Sequence, residues 1–136
     1  MLFSKKTSWR PKNFLLVFAG VLFSDHLLKK IFLGSGDYLK NSGGLFGFGT
    51  DPTLSFLALL LFLGLALSGL HGRKGIARFS FPLALLLGGI ASNLLDRLLW
   101  GHIIDYLRMG EICAFNLADL AIAAGAVLFI WRIIKE

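Results

Sequence analysis

The sequence is poor in the residues that most often carry metal or covalent chemistry. It has one cysteine, Cys113, which excludes an internal disulfide and a cysteine-rich metal site. Its three histidines, His26, His71 and His102, are scattered and show no H-E-x-x-H or comparable ligand spacing, so no metal centre is expected. Internal repeats and low-complexity segments are absent. Charge is also scarce, at 16% of residues against 56% hydrophobic, with 13 phenylalanines among them. A soluble domain of 136 residues has too small an interior for that much apolar surface, so the class is integral membrane. The net charge of +6 raises the question of nucleic acid. The basic residues, however, flank apolar runs instead of clustering with exposed aromatics, so no nucleic-acid partner is expected.

Four apolar stretches are present: about 13–33, 54–70, 79–100 and 113–134. Each suffices to cross a hydrocarbon core of about 30 Å at about 1.5 Å per residue. The first follows a basic segment, as a signal peptide would. No small-residue cleavage site follows it, and the run continues into SDHLLKKIFL, so a retained span is expected. Pro52 precedes the second stretch, and Pro82 is expected in the first turn of the third, where a missing N–H is harmless. Gly101 is placed to stop the third. The N-terminal segment, the 71–79 loop and the last six residues hold nine Lys/Arg and one acid, whereas the remainder holds five Lys/Arg and seven acids. That asymmetry puts both termini in the cytoplasm. The expected fold is therefore an all-α membrane protein: one domain over residues 1–136, with four transmembrane helices and reduced extracytoplasmic loops.

The polar residues that interrupt these stretches are the candidate functional groups, because ionisable side chains are costly at membrane depth. Asp25 and Lys29 stand at i, i+4 on the first helix, and their plain reading is an intrahelical ion pair. Asn93, Asp96 and Arg97 share one face of the third, and Asp96 is the nearest candidate partner for the fixed cation of Arg97. Asp105 lies in a short segment, HIIDYL, expected to be extended at the membrane surface. Alone, it reads as a solvated loop aspartate. Asp119 opens the last apolar helix; with Asn116 as N-cap it would be the N3 residue of a capping box, and alone it reads as a cap carboxylate. Together the two carboxylates read differently. Like charges a few Å apart share a proton, giving one base to activate water and one acid to protonate a departing amine. The loop NSGGLFGFG, from Asn41, has glycines that permit close backbone approach and phenylalanines, Phe46 and Phe48, apolar enough to touch lipid. The small residues Gly88, Gly89 and Ser92, and Ala118, Ala121, Ala123 and Gly125, read as helix-packing stripes.

Five segments, in order, resemble the lipoprotein signal peptidases (signal peptidase II), bacterial intramembrane aspartyl proteases. They are D-x-x-x-K at Asp25 and Lys29, N-x-G-x-x-F at Asn41, Gly43 and Phe46, and N-x-x-D-R at Asn93, Asp96 and Arg97. G-x-x-x-D-[FY] follows at Gly101, Asp105 and Tyr106, and F-N-x-A-D at Phe115, Asn116, Ala118 and Asp119. The resemblance implies an endopeptidase of the bacterial inner membrane. It would cut the signal peptide from a prolipoprotein just before a diacylglyceryl-modified cysteine, at the extracytoplasmic face. It implies Asp105 and Asp119 as the catalytic pair. Asp25, Lys29, Asn41, Gly43, Phe46, Asn93, Asp96, Arg97 and Asn116 would be the supporting or substrate-binding residues. No cofactor is implied; the partners are the lipidated substrate and membrane lipid, and a monomer is expected. The chain departs from the family in having only eleven residues between Lys29 and Asn41, GGLF where GAAF is favoured, and Tyr106 where Phe is commoner. Two other readings compete: an intramembrane aspartyl protease of non-lipidated substrates, and a non-catalytic four-helix scaffold. A transporter fits poorly, because the polar groups gather at one face instead of the midplane.

Overall fold

The computed structural model describes residues 11–43 and 73–135, apart from the side chains of residues 11 and 73–77. The stretch 54–70 and the loop residues Phe46 and Phe48 lie outside the described residues. Three helices and four short strands are described: α1 (Pro11–Ser35), β1 (Leu39–Asn41), α2 (Arg73–Trp100), β2 (Ile103–Asp105), β3 (Leu107–Met109), β4 (Cys113–Phe115) and α3 (Leu117–Ile134).

The all-α expectation is corrected by the strands. β1 pairs antiparallel with β2, with Leu39 opposite Asp105 and Asn41 opposite Ile103. β3 and β4 form a hairpin, with Leu107 opposite Phe115 and Met109 opposite Cys113, and Gly110 in its turn at φ 59°. The expected helix start at 113 is corrected for the same reason. Residues 113–115 pair with β3, and α3 begins only after the Asn116 cap. The extended reading of HIIDYL holds, as does Gly101 as the stop of α2, with φ 76° and its N–H on the Arg97 carbonyl at 3.0 Å.

α2 starts at Arg73, earlier than expected, so Pro82 lies inside the helix and not in its first turn. A proline there has no N–H for the carbonyl four residues back, that of Arg78. The Arg132 guanidinium donates to this freed carbonyl, and Arg78 Nη2 donates in return to the Arg132 carbonyl at 2.9 Å, in the last turn of α3. Each arginine thus satisfies a backbone acceptor on the other helix. Beside this clasp, Phe79, Leu83 and Phe129 form a buried apolar cluster, with Phe14 packed against it.

The distribution of polarity is the reverse of a soluble protein's. Asp25, Lys29, Asn41, Ser92, Asn93, Asp96, Asp105, Asn116 and Asp119 are all buried, while Leu15, Leu16, Phe23, Leu98, Leu99, Val127 and Ile134 are exposed. That is what a lipid solvent demands. Among the described residues, Arg78–Trp100 and Leu117–Ile134 are long and apolar enough to cross a membrane, with mean hydropathies of 1.4 and 2.0. α1 has 25 residues and carries Asp25 and Lys29, but both side chains turn inward.

Small residues set the helix separations. A Cβ on Gly89 would overlap the Ala118 carbonyl oxygen and stand 2.7 Å from Ile122 Cγ1, so only glycine lets α2 approach the first turn of α3. Among the described residues, nothing lies within 4 Å of a Cβ built on Gly20 of α1. Gly89→Ala should therefore lower the melting temperature in detergent by the equivalent of about 1–3 kcal/mol, an overpacking cost. Gly20→Ala should leave it unchanged or raise it, as followed by thermal unfolding of both variants beside the parent.

Candidate active site

The site forms where the last turns of α2, the first turn of α3, the C-terminal half of α1 and the β1–β2 pair meet. Asn116 caps α3, as the sequence suggests. Its φ and ψ are −135° and 178°, its side chain accepts from the Asp119 N–H, and the Asp119 carboxylate accepts from the Asn116 N–H, completing a capping box. The next amides are satisfied from elsewhere. The Leu117 N–H donates to the Tyr106 hydroxyl at 3.0 Å, and the Ala118 N–H to Asp25 Oδ1 at 3.2 Å. With Leu120 N–H on the Asn116 carbonyl, all four amides that a helix start leaves open have partners.

Asp105 ends β2, and its register with β1 brings Asn41 beside it across the sheet. Asn41 Nδ2 donates to Asp105 Oδ2 at 2.9 Å, and Asn116 Nδ2 donates to Asp105 Oδ1 at 2.9 Å. Asn116 therefore touches both carboxylates: Asp105 through its side chain, Asp119 through its own backbone N–H. Asn93 Nδ2 donates to the other oxygen of Asp119 at 2.8 Å, and Asn93 Oδ1 accepts from Asn116 Nδ2 and from Lys29 Nζ.

Beneath this pair lies a second charged group. Lys29 Nζ is 2.5 Å from Asp25 Oδ2 and 2.8 Å from Asp96 Oδ2, with all three side chains at most 2% exposed. The i, i+4 pair on α1 is present, but as half of a buried triad. Asp96 also accepts the Ile104 N–H at 3.0 Å. The expectation that Asp96 serves Arg97 is corrected: Asp96 is committed to Lys29 and to strand β2. Neighbours in a helix diverge by about 100°, and Arg97 Nη2 instead donates to the Gly43 carbonyl at 2.5 Å. Gly43 is held in turn by its N–H on Asn41 Oδ1 at 2.8 Å.

The structure thus gathers ten of the eleven residues singled out in the sequence; the eleventh, Phe46, lies outside the described residues. Three groups went unassigned. Ser92 donates to Asp25 Oδ2 at 2.6 Å and lies 3.0 Å from His26 Nδ1. Among the described residues, His26 Nε2 is buried without a hydrogen-bond partner, 3.8 Å from Asp96 Oδ1. Tyr106 donates to Asp25 Oδ1 at 2.8 Å and stacks on Phe32 with ring centroids 4.9 Å apart. Ser92 was legible in principle, because it sits one turn before Asp96 on the same helix, but it was read as a small packing residue.

Burial, and then the charge of Asp119, push the Asp105 carboxyl up from 3.8 to about 7; the Asn41 bond, Lys29 and Asn116 pull the other way. Burial and the Asp25 carboxylate hold the Tyr106 phenol above its ordinary value, so it stays a protonated donor. Among the described residues, no cluster of His, Cys, Asp and Glu could hold a metal ion. The arrangement offers two buried carboxylates of unlike environment, a shared asparagine between them, and one proton available near neutral pH.

This geometry is that of two paired carboxylates buried among apolar helices, and the comparisons place the chain more narrowly. A family profile described as signal peptidase (SPase) II matches residues 16–135, so the chain belongs to the signal peptidase II family. It is 45% identical over 100 residues to the lipoprotein signal peptidase of Burkholderia vietnamiensis, covering 67% of this chain and 60% of that protein. To the lipoprotein signal peptidase of Burkholderia mallei strain SAVP1 it is 44% identical over 102 residues, covering 68% and 61%. The chain thus matches about 60% of the length of these curated relatives. Two solved structures, each described as a bacterial membrane enzyme, share the fold. One has a TM-score of 0.75 at 20% identity, covering 94% of this chain and 91% of its own; the other has 0.73 at 20%, covering 95% and 97%.

The Asp105 environment has a consequence for stability. A carboxyl whose folded pKa lies above its unfolded value favours the folded state less as pH rises between the two values, and the effect is complete above the higher one. Asp105→Asn should therefore gain melting temperature relative to the parent as pH rises from about 4 to about 7, with no further gain at pH 8. Paired thermal unfolding curves across that range would read it.

Proposed function

We propose that this chain is an aspartyl endopeptidase that removes the signal peptide from diacylglyceryl-modified prolipoproteins, cutting the bond before the lipidated cysteine. The observation that carries the reading is the pair Asp105 and Asp119, buried, joined through Asn116, and backed by a lysine that neutralises the other carboxylates. Family membership and the relatives named lipoprotein signal peptidase support the substrate class.

The chemistry follows from one proton shared by two carboxyls. The ionised member takes a proton from water, and the hydroxide so formed adds to the scissile carbonyl carbon. The protonated member gives its proton to the carbonyl oxygen. Collapse of the tetrahedral adduct breaks the carbon–nitrogen bond: the amine leaves with the proton the first carboxylate had taken, and one hydroxyl of the adduct returns its proton to the second. Asn41, Asn93 and Asn116 hold the two carboxylates in register. Lys29 balances the charge behind them, and Arg97 fixes the Gly43 turn at the rim.

In this reading the chain is one four-span domain over 1–136 in a bacterial inner membrane, with both termini cytoplasmic by the distribution of basic residues. The site then opens at the extracytoplasmic interface, where water reaches it. The substrate is itself lipid-anchored and confined to two dimensions, so a monomer of this size suffices, with apolar loop residues such as Phe46 against the acyl chains.

The test is cleavage of a diacylglyceryl prolipoprotein by purified protein in detergent, followed by gel shift. The parent should cleave, and Asp105→Asn and Asp119→Asn should each lose at least about a thousandfold in rate while remaining folded. The parent rate should fall as pH rises through about 7, where the shared proton is lost. Equal cleavage of a substrate with an unlipidated cysteine would reassign the substrate, and cleavage by Asp119→Asn at the parental rate would remove the pair from the chemistry.

A further inference from the structure

Each member of the pair hangs on a different element: Asp105 on the end of β2, Asp119 on the first turn of α3. When both are ionised they repel, so their separation depends on what ties β2 to α3. Asn116 is one tie, through a flexible side-chain amide. A second is built into the backbone. Tyr106 directly follows Asp105, and its hydroxyl accepts from the N–H of Leu117, two residues before Asp119. The same hydroxyl donates to Asp25 Oδ1, which also takes the Ala118 N–H. One buried oxygen therefore closes a ring from Asp105 through Tyr106 and Leu117 to Asp119 and anchors it on α1. The ring of Tyr106 is held independently by its stack on Phe32.

We propose that the Tyr106 hydroxyl is a positioning residue that sets the separation of Asp105 and Asp119, and with it the splitting of their two protonation steps. The proposal rests on the pair being the catalytic one. The groups around the phenol are Asp25 and Lys29 from α1, Asp96 behind them on α2, Asp119 on α3, and Asp105 as its chain neighbour. Only Asp25 and the Leu117 amide touch the hydroxyl directly among the hydrogen bonds of the described residues. Its removal leaves a helix-start amide open in a buried place and takes one of four donors from Asp25, the others being Ala118 N–H, Ser92 and Lys29. The first turn of α3 is then free to draw away from β2, and the like charges interact less.

Tyr106→Phe isolates the hydroxyl, because it keeps the ring on Phe32. Two readouts are needed: pH profiles of kcat and KM on the lipidated substrate, and titration of carbon-13-labelled aspartate carboxyls by NMR without substrate. The variant should lose roughly tenfold in kcat, about one buried hydrogen bond, with KM unchanged. Its two carboxyl titrations should move toward one another, and the limbs of the rate profile should follow. A variant with parental titrations overturns the proposal, whether its rate is parental or merely scaled down at every pH as a smaller folded fraction would scale it. A parent that fails to cleave overturns the functional reading, while the substrate-free titration still decides the role of Tyr106. Should the variant not fold, amide exchange in the parent decides: Leu117 N–H protected like the α3 interior supports the tie, and exchange at the rate of an open helix start refutes it.

Discussion

A single ammonium group in a nearly waterless interior governs this structure. Lys29 lies between Asp25 and Asp96, and the aspartate pair lies just beyond them. Charges in such surroundings are tolerated only when each has an opposite charge or several donors. Lys29 supplies the charge; the donors come from Ser92, Tyr106, three asparagines and three backbone amides. The geometry follows from that requirement. α1 packs where its ion pair meets Asp96, β2 lies where the Ile104 amide reaches Asp96, and α3 starts where Asp25 can accept its amide.

This network also divides the four carboxylates into two kinds. Asp25 and Asp96 each touch the ammonium and take further donors, so they serve as struts between the helices. Asp105 has no cation in contact among the described residues; burial, and then the charge of Asp119, raise its carboxyl into the neutral range against the pull of its amide donors. In the proposed reading, the same side chain serves as scaffold or as proton carrier according to whether a cation touches it.

Much of this was legible in the sequence, for identifiable reasons. Helices α1 and α3, the Gly101 stop and the Asn116–Asp119 capping box are local features, written in hydropathy and in residues three apart. That the interrupting polar residues gather was expected from their cost at membrane depth, and the described residues bring them together. What was misread depended on partners distant along the chain. Strand β1 pairs with residues 64 positions away, as the Asn41–Asp105 bond shows, and three-residue strands have no periodicity of their own. Pro82 looked like a helix start because nothing near it in the sequence reveals that Arg132 will cover the carbonyl it frees. Asp96 was assigned to its neighbour Arg97, since the lysine that claims it lies on another helix.

The pairing of Asp25 with Lys29 within one helix bears on biogenesis. In the four-span reading proposed above, Asp25 enters the membrane before Ser92, Asp96 or Tyr106 has been made to receive it. Two lone charges on a nascent helix would resist transfer into lipid. One turn apart they form a neutral dipole that needs no other part of the protein, so α1 carries its own provisional partner through insertion. It exchanges that isolation for the full network when the later helices arrive, bringing Ser92, Asp96 and Tyr106 to the same group.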